Sequence, residues 1–282
     1  MKIGIIGLGL IGGSIGLKLQ SLDHIVYGIT NNEFNKKRAE ERKLANVVSC
    51  DYQLLKDCSL IILALPIEEL VNPSENLINS IPLNIVLTDV GSIKDPIVKQ
   101  WEKSHPLFVG SHPMAGTEKK GVNAGCADLF DNAKWIITPT AKTKKKGLDT
   151  LTKLISSMNC DLCFTSPILH DQSVALISHL PIYLASCLID TANTEENKEL
   201  LNLSYKIAST GFSDTSRVGG GNPKLGIDLA MNNSKNILKS LKTYRENIYT
   251  LEQIIKNKNW EVLLNKLNYS MEIRNRFVNK KN

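Results

Sequence analysis

A short apolar run, Lys2 to Ile6, ends in Gly7-Leu8-Gly9-Leu10-Ile11-Gly12, and a helix-forming stretch from Ser14 to Leu22 follows. A second apolar run, Ile25 to Ile29, comes next. This order of strand, G-x-G-x-x-G turn, helix and strand constrains the fold more than any other feature, because each glycine meets a steric need. Gly7 permits the tight turn, Gly9 lets backbone approach a pyrophosphate, and Gly12 lets the helix pack close. Phosphates would sit at the helix N-terminus, where unpaired N–H groups and the helix dipole favour anions. Gly7, Leu8, Gly9, Leu10, Ile11 and Gly12 are the candidate cofactor loop.

Further strand-like runs recur at Ser59–Leu65, Asn84–Thr88, Leu107–Val109 and Trp135–Thr138, with helical patterns between several of them. Such alternation predicts a parallel, doubly wound sheet of the Rossmann type. A last strand near Asp161 to Thr165 closes this half. After Pro167 the strand signals stop and helical patterns run to the end. The expected architecture is α/β over 1–165, a dinucleotide-binding domain, followed by an all-α domain over 166–282. Within the second half, His170 to Asp190 reads as a helix buried on several faces, and Pro181 should kink or divide it. Asn222-Pro223 is a good helix start. Ile237, Leu241, Tyr244, Ile248, Leu251 and Ile255 recur at spacings of four and three, an apolar seam for a helix hairpin or a dimer interface.

Composition excludes several classes. With 42% hydrophobic residues in 282, the chain can build a proper core. The net charge of +6 is spread out, and the lysines at 142–146 lack interleaved aromatics, so a solvated turn is expected and no nucleic-acid partner. Six cysteines do not form a disulfide framework. Cys160 and Cys163 make a lone C-x-x-C without the two further ligands zinc needs, so no metal is expected. Glycines interrupt the apolar N-terminus, no cleavage site follows, and no apolar stretch long enough to span a membrane is expected. The expected location is the cytoplasm.

The end of the second strand bears on which cofactor binds. An acidic residue there would hold both ribose hydroxyls and repel a 2′-phosphate. This chain has Thr30-Asn31-Asn32, with Lys36, Lys37 and Arg38 beyond, so NADP is favoured over NAD. Leu65 and Pro66, ending the Ser59–Leu65 strand, complete the expected cofactor contacts.

His112 sits in Gly110-Ser111-His112-Pro113-Met114-Ala115-Gly116, a tight loop by sequence. Beside a dinucleotide, an imidazole can accept an alcohol proton at neutral pH while hydride leaves the same carbon. Taken together, Gly7 to Gly12, Asp89-Val90-Gly91-Ser92-Ile93-Lys94, Gly110 to Gly116 with Thr117-Glu118, Ser178-His179-Leu180-Pro181, and Asp214 to Arg217 resemble the prephenate/arogenate dehydrogenases of tyrosine biosynthesis. The matches run in order from residue 3 to about 223.

The resemblance implies an oxidative decarboxylation that gives an aromatic phenol. It implies His112 as the base and Ser92 as the residue that orients it and meets the substrate hydroxyl. It implies Arg217 as the anchor of a substrate carboxylate, a task suited to the bidentate guanidinium. Ser178 is a pocket candidate, and Thr117 and Glu118 are candidates for the pocket mouth. His170 and His179 would face opposite ways on an unbroken helix, and a buried structural role is expected for His179.

Two positions depart from the family pattern. Ile182 stands where many prephenate-using members have a histidine, and on a helix it shares a face with Ser178. A wall without an imidazole suits the ammonium of arogenate better than the pyruvyl group of prephenate, so arogenate is favoured. Ser213 stands where many members have arginine. Neither a chorismate mutase segment nor an appended regulatory domain is expected, and a homodimer through the C-terminal helices is. The alternatives are an imine or pyrroline-carboxylate reductase, which needs no such histidine loop, and a silent cofactor-sensing protein, which would lack the set Ser92, His112 and Arg217.

Overall fold

The computed structural model describes residues 1–117 and 120–278. Glu118, an expected pocket residue, lies outside the described residues. The chain forms two compact units, 1–233 and 234–282.

The first unit is built on an eight-stranded sheet in the order β3-β2-β1-β4-β5-β6-β7-β8. The strands are β1 (Lys2–Ile6), β2 (Ile25–Ile29), β3 (Val47–Ser49), β4 (Leu60–Leu63), β5 (Val86–Asp89), β6 (Phe108–Pro113), β7 (Lys134–Thr138) and β8 (Asp161–Phe164). The helices α1 (Leu10–Ser21), α2 (Glu33–Glu41), α3 (Ile67–Val71), α4 (Glu75–Ser80), α5 (Asp95–Ser104) and α6 (Lys145–Ser157) connect them. Ile3, Ile5, Leu60, Ile62, Val86 and Val109 form the middle of the sheet and are buried with Ile15, Leu19, Phe130 and Trp135. Burying a side chain of this size contributes about 1.5–3 kcal/mol, which is why such central strands read as unbroken apolar runs. β3 escaped the sequence reading because it is three residues long and pairs only with β2.

The predicted parallel, doubly wound sheet is present, with one exception. β7 runs antiparallel to β6, pairing His112 with Ile136, whereas the other neighbours are parallel. β5 pairs with β6 only as far as Thr88 and Val109. β7 therefore carries β6 four residues beyond the last β5 rung, through Gly110–Pro113. His112 thus stands on a strand end and not in a tight loop.

Beyond the sheet come α7 (Pro167–Val174), a π-helical segment (Ala175–His179), α8 (Leu180–Asn193), α9 (Lys198–Ile207) and α10 (Thr210–Ser216). The irregularity predicted at Pro181 lies earlier, in the π segment, and Pro181 occupies the first turn of α8, where its missing N–H costs little. Contrary to the sequence reading, Pro167–Asn193 is long and apolar enough to cross a membrane by length and composition, and an 18-residue window of it has a mean hydropathy of 1.5. Within this run His170, Asp171 and His179 are buried in a polar network described below.

α11 (Pro223–Lys256) starts at the predicted Asn222-Pro223 and breaks its helical geometry at Asn233, where φ is −134°. The second unit comprises the rest of α11 and α12 (Trp260–Val278). Of the predicted seam, Ile237 is buried, while Tyr244, Ile248 and Ile255 are exposed.

Candidate active site

At the first β-strand end the backbone turns through Gly7 with φ of +94°, a conformation side chains rarely tolerate. A Cβ on Gly12 would lie 1.9 Å from the Gly7 carbonyl oxygen, so only glycine lets α1 approach this closely. A Cβ on Gly9 would meet nothing within 4 Å, which leaves the loop open to a ligand. Gly9 is the N-cap of α1 and gives no side-chain cap, and the first turn carries no acid. The exposed N–H groups there suit a phosphate. Leu8, Leu10 and Ile11 fill the loop, Leu8 buried and the other two half-buried.

Thr30 is buried at the end of β2, with its Oγ1 3.7 Å from Cys50 Sγ. Asn32 accepts the Asn35 N–H at 2.8 Å and caps α2, while Asn31 accepts from the side chains of Asn32 and Asn35. The nearest acid, Glu33, pairs with Lys36 at 3.2 Å. Leu65 lies half-buried beside Gly7 and Pro66 is exposed. These residues fit a dinucleotide: an open glycine loop, a free helix N-terminus, and a strand end without an unpaired carboxylate.

At the other end of the site, β5 finishes at Asp89, whose side chain is fully buried. Asp89 accepts from the N–H groups of Gly91 at 2.8 Å and Ser111 at 3.2 Å, and from the equally buried Lys94 ammonium. Lys94 Nζ also donates to the Ser111 carbonyl at 2.7 Å. Burial pulls Lys94 down and pushes Asp89 up, and their mutual attraction opposes both shifts.

Three groups beyond Ser111 form a relay. His112 Nδ1 lies 2.9 Å from His170 Nε2, and His170 Nδ1 lies 2.7 Å from Asp171 Oδ1. Asp171 also accepts from the backbone N–H of Lys94 at 2.7 Å and of Asp95 at 2.8 Å, capping α5 from outside that helix. An ionised carboxylate only accepts, so a neutral His170 carries its proton on Nδ1 and accepts at Nε2. His112 then donates from Nδ1, which leaves its Nε2 as the acceptor atom. Burial lowers the His112 pKa well below the usual histidine value, and the neighbouring His170, Lys94 and His179 push in the same direction. The half-buried ring is held neutral, the state a base needs.

His179 completes the cluster. It meets Asn233 Nδ2 at 3.3 Å and hydrogen-bonds to the Ser92 backbone, while Asn233 donates to the Asp171 carbonyl at 2.8 Å. Burial lowers His179 to about 4, against the opposing pull of Asp171. His170 and His179 were expected to diverge, yet both are buried against this network. The π segment supplies the reason: its extra residue per turn makes nine residues rotate like about eight, some 80° and not 180°.

The structure thus places His170 where Ser92 was expected. Among the described residues no hydrogen bond joins Ser92 to His112, and the ring is oriented by His170. Ser92 is half-buried in the loop whose backbone His179 holds. Ser178 and Ile182 are half-buried on either side of the π segment's end. Thr117 is exposed. Arg217 is exposed at the start of a 3₁₀ turn that packs on α8, where a Cβ on Gly219 would lie 2.6 Å from the Ala185 carbonyl carbon. Among the described residues no hydrogen bond or ion pair links Arg217 to the histidine cluster. His170-Asp171, Lys94 and Asn233 were missed as site residues. The available signal was charge inside an apolar helix, since buried acids and bases need partners.

Two family models match the chain in succession. The nucleotide-binding domain of prephenate dehydrogenase matches residues 15–163, and its dimerization domain matches residues 166–269. The chain belongs to the prephenate dehydrogenase family. A prephenate dehydrogenase of Bacillus subtilis is 34% identical over 82% of this chain, which spans 64% of that protein's length. A cyclohexadienyl dehydrogenase of Zymomonas mobilis is 28% identical over 96% of this chain and 94% of its own. Among solved structures, an arogenate dehydrogenase of Synechocystis superposes with a TM-score of 0.84 at 36% identity, covering 99% of this chain and 100% of that one. A prephenate dehydrogenase of Aquifex aeolicus, solved with hydroxyphenyl propionate and NAD+, gives 0.90 at 26% identity, with 98% of each chain covered. Family membership decides against the imine or pyrroline-carboxylate reductase.

Proposed function

We propose that this member of the family is an NADP-dependent arogenate dehydrogenase that converts L-arogenate to L-tyrosine with loss of carbon dioxide. The observation that carries an oxidative role is the relay Asp171–His170–His112, which leaves a neutral His112 with Nε2 as acceptor. Prephenate is the nearer alternative substrate. Ile182 favours arogenate, and the likeness to the Synechocystis arogenate dehydrogenase supports it.

In this reading Gly7 to Gly12 and the α1 N-terminus hold the pyrophosphate, Thr30, Asn31 and Asn32 the phosphorylated ribose, and Leu65 and Pro66 the remaining contacts. The bound cofactor supplies the hydride acceptor. His112 takes the proton of the substrate hydroxyl as the carbinol carbon is oxidised, and returns it to the phenol oxygen once carbon dioxide has left. Aromatisation drives the reaction, so the protein has little bond-making to do. Arg217 anchors the side-chain carboxylate, Ser92 meets the hydroxyl, and Ser178, Ile182 and Thr117 line the pocket. The helical domain over 166–282 binds substrate and dimerises, which its family description and the exposed Tyr244, Ile248 and Ile255 support. The free thiols of all six cysteines fit a cytoplasmic setting.

The deciding experiment compares arogenate and prephenate as sole substrates, each with NADP+ and NAD+. The highest kcat/KM is expected for arogenate with NADP+, by at least about tenfold, a gap of roughly 1.4 kcal/mol. A preference for prephenate would overturn the argument from Ile182, and a preference for NAD+ the argument from Thr30–Asn32.

A further inference from the structure

We propose that Lys94 is a positioning residue for the His112 base, fixing through its buried ammonium the one peptide unit that carries the ring out beyond β5. The inference rests on the assignment of His112 as that base. Its ground is the way the sheet is built at this point. The β5–β6 ladder stops at Thr88 and Val109, two residues before Ser111. Past that point the backbone of Ser111 needs partners, and side chains provide them. Asp89 accepts the Ser111 N–H at 3.2 Å and Lys94 Nζ donates to the Ser111 carbonyl at 2.7 Å. The ion pair takes the place of the missing rung.

Lys94 also reaches the far end of the relay. Its backbone N–H donates at 2.7 Å to Asp171 Oδ1, the oxygen that His170 Nδ1 contacts. One residue therefore references both the strand that carries His112 and the carboxylate that sets the tautomer of His170. A fully buried lysine is a poor choice for stability alone, because an apolar pair of similar volume often does as well or better. What an apolar side chain lacks is a donor to the Ser111 carbonyl and a charge facing His112. The titratable groups around His112 are His170 and Asp171 from α7, His179 from the π segment, and Asp89 and Lys94 from the end of β5 and the loop after it. After burial and His170, Lys94 is the next influence that disfavours the imidazolium, ahead of His179.

Two variants test this, K94M and the double variant K94M/D89N, which leaves no unpaired buried carboxylate. Each is checked for folding by circular dichroism and thermal melting, for NADP+ affinity by fluorescence titration, and for the pH profile of kcat/KM. The expected result is a folded protein that binds cofactor within about threefold of the wild type, with kcat lowered about 10- to 100-fold, the range typical of lost supporting hydrogen bonds. In K94M, which removes the positive charge and leaves Asp89, the acid limb of kcat/KM should move to higher pH. A folded double variant with kcat within about threefold of the wild type, or a folded K94M with an unmoved acid limb, would overturn the proposal. Loss of folding in both variants would overturn it too, since Lys94 would then serve the fold and not the base. H112N separates this from the assignment beneath it. An active H112N defeats the base itself, whereas an inactive H112N beside unaffected Lys94 variants defeats only the role of Lys94.

Discussion

The rings of His112 and His170 meet edge to face, at 71° with centroids 5.1 Å apart, and Nδ1 of the first lies 2.9 Å from Nε2 of the second. Because Asp171 holds the remaining nitrogen of His170, the pair has one neutral arrangement of protons. Replacing His170 with alanine should lower kcat about 10- to 100-fold while KM and cofactor affinity change little. Steady-state kinetics and a cofactor titration check this. An unchanged kcat would mean that something other than His170 sets the tautomer of His112.

The base itself should act below the usual histidine range. His112 is useful only when unprotonated, and its folded pKa is lowered well below 6.5. Activity should therefore persist as pH falls through 6.5 and fail only nearer the lowered value. A pH profile of kcat/KM reads this limb, and H112N should lower turnover about 10²- to 10⁴-fold across the profile. A wild-type acid limb centred at or above 6.5 would contradict the burial argument.

His179 links pH to stability. Its folded pKa is about 4 against 6.5 when exposed, so between these values the unfolded chain binds a proton that the folded chain does not. Stability from this group is complete above about 6.5 and is lost as pH falls towards 4, an effect on the order of 3 kcal/mol. Thermal melts of the wild type and His179→Gln from pH 7.5 to 4.5 should show the steeper fall in the wild type. Parallel curves would remove His179 as the cause.

Gly12→Ala should be severe. The new methyl would lie 1.9 Å from the Gly7 oxygen and 2.9 Å from the Ala64 Cβ, and the first of these is backbone that cannot swing aside. Overpacking of this kind costs about 1–3 kcal/mol or more. The melting temperature should fall and binding of the nicotinamide cofactor should weaken beyond detection. Gly9→Ala, with nothing within 4 Å, should leave the melting temperature unchanged and lower only cofactor affinity.

Arg217→Ala should raise KM for the substrate more than it lowers kcat, because its assigned task is to hold a carboxylate. The reverse pattern would move Arg217 out of the binding role.

The sequence made the cofactor half legible because its constraints are local. Gly7, Gly9 and Gly12 act within one turn, and the buried strands are continuous apolar runs. The antiparallel β7 was not legible, since Trp135–Thr138 has the same apolar texture whichever way it runs. The histidine relay was hidden for a different reason. His112 and His170 are far apart in sequence, and what brings His179 to the same cluster is a π segment whose added residue defeats reasoning from 3.6 residues per turn. Lys94 and Asp89 were visible as part of a motif, but their burial as a pair follows only from where β5 and β6 part.

The π segment ties the histidine cluster to local helix geometry as well as to composition. Regularising the helix at constant length would turn His179 by about 100° relative to His170 and disconnect Ser92 and Asn233 from the relay. Deleting one residue between Gln172 and Ser178 would also restore a regular helix, but would keep that angle at about 80°. The extra residue and the π turn that absorbs it therefore compensate one another, and the turn is itself part of the site.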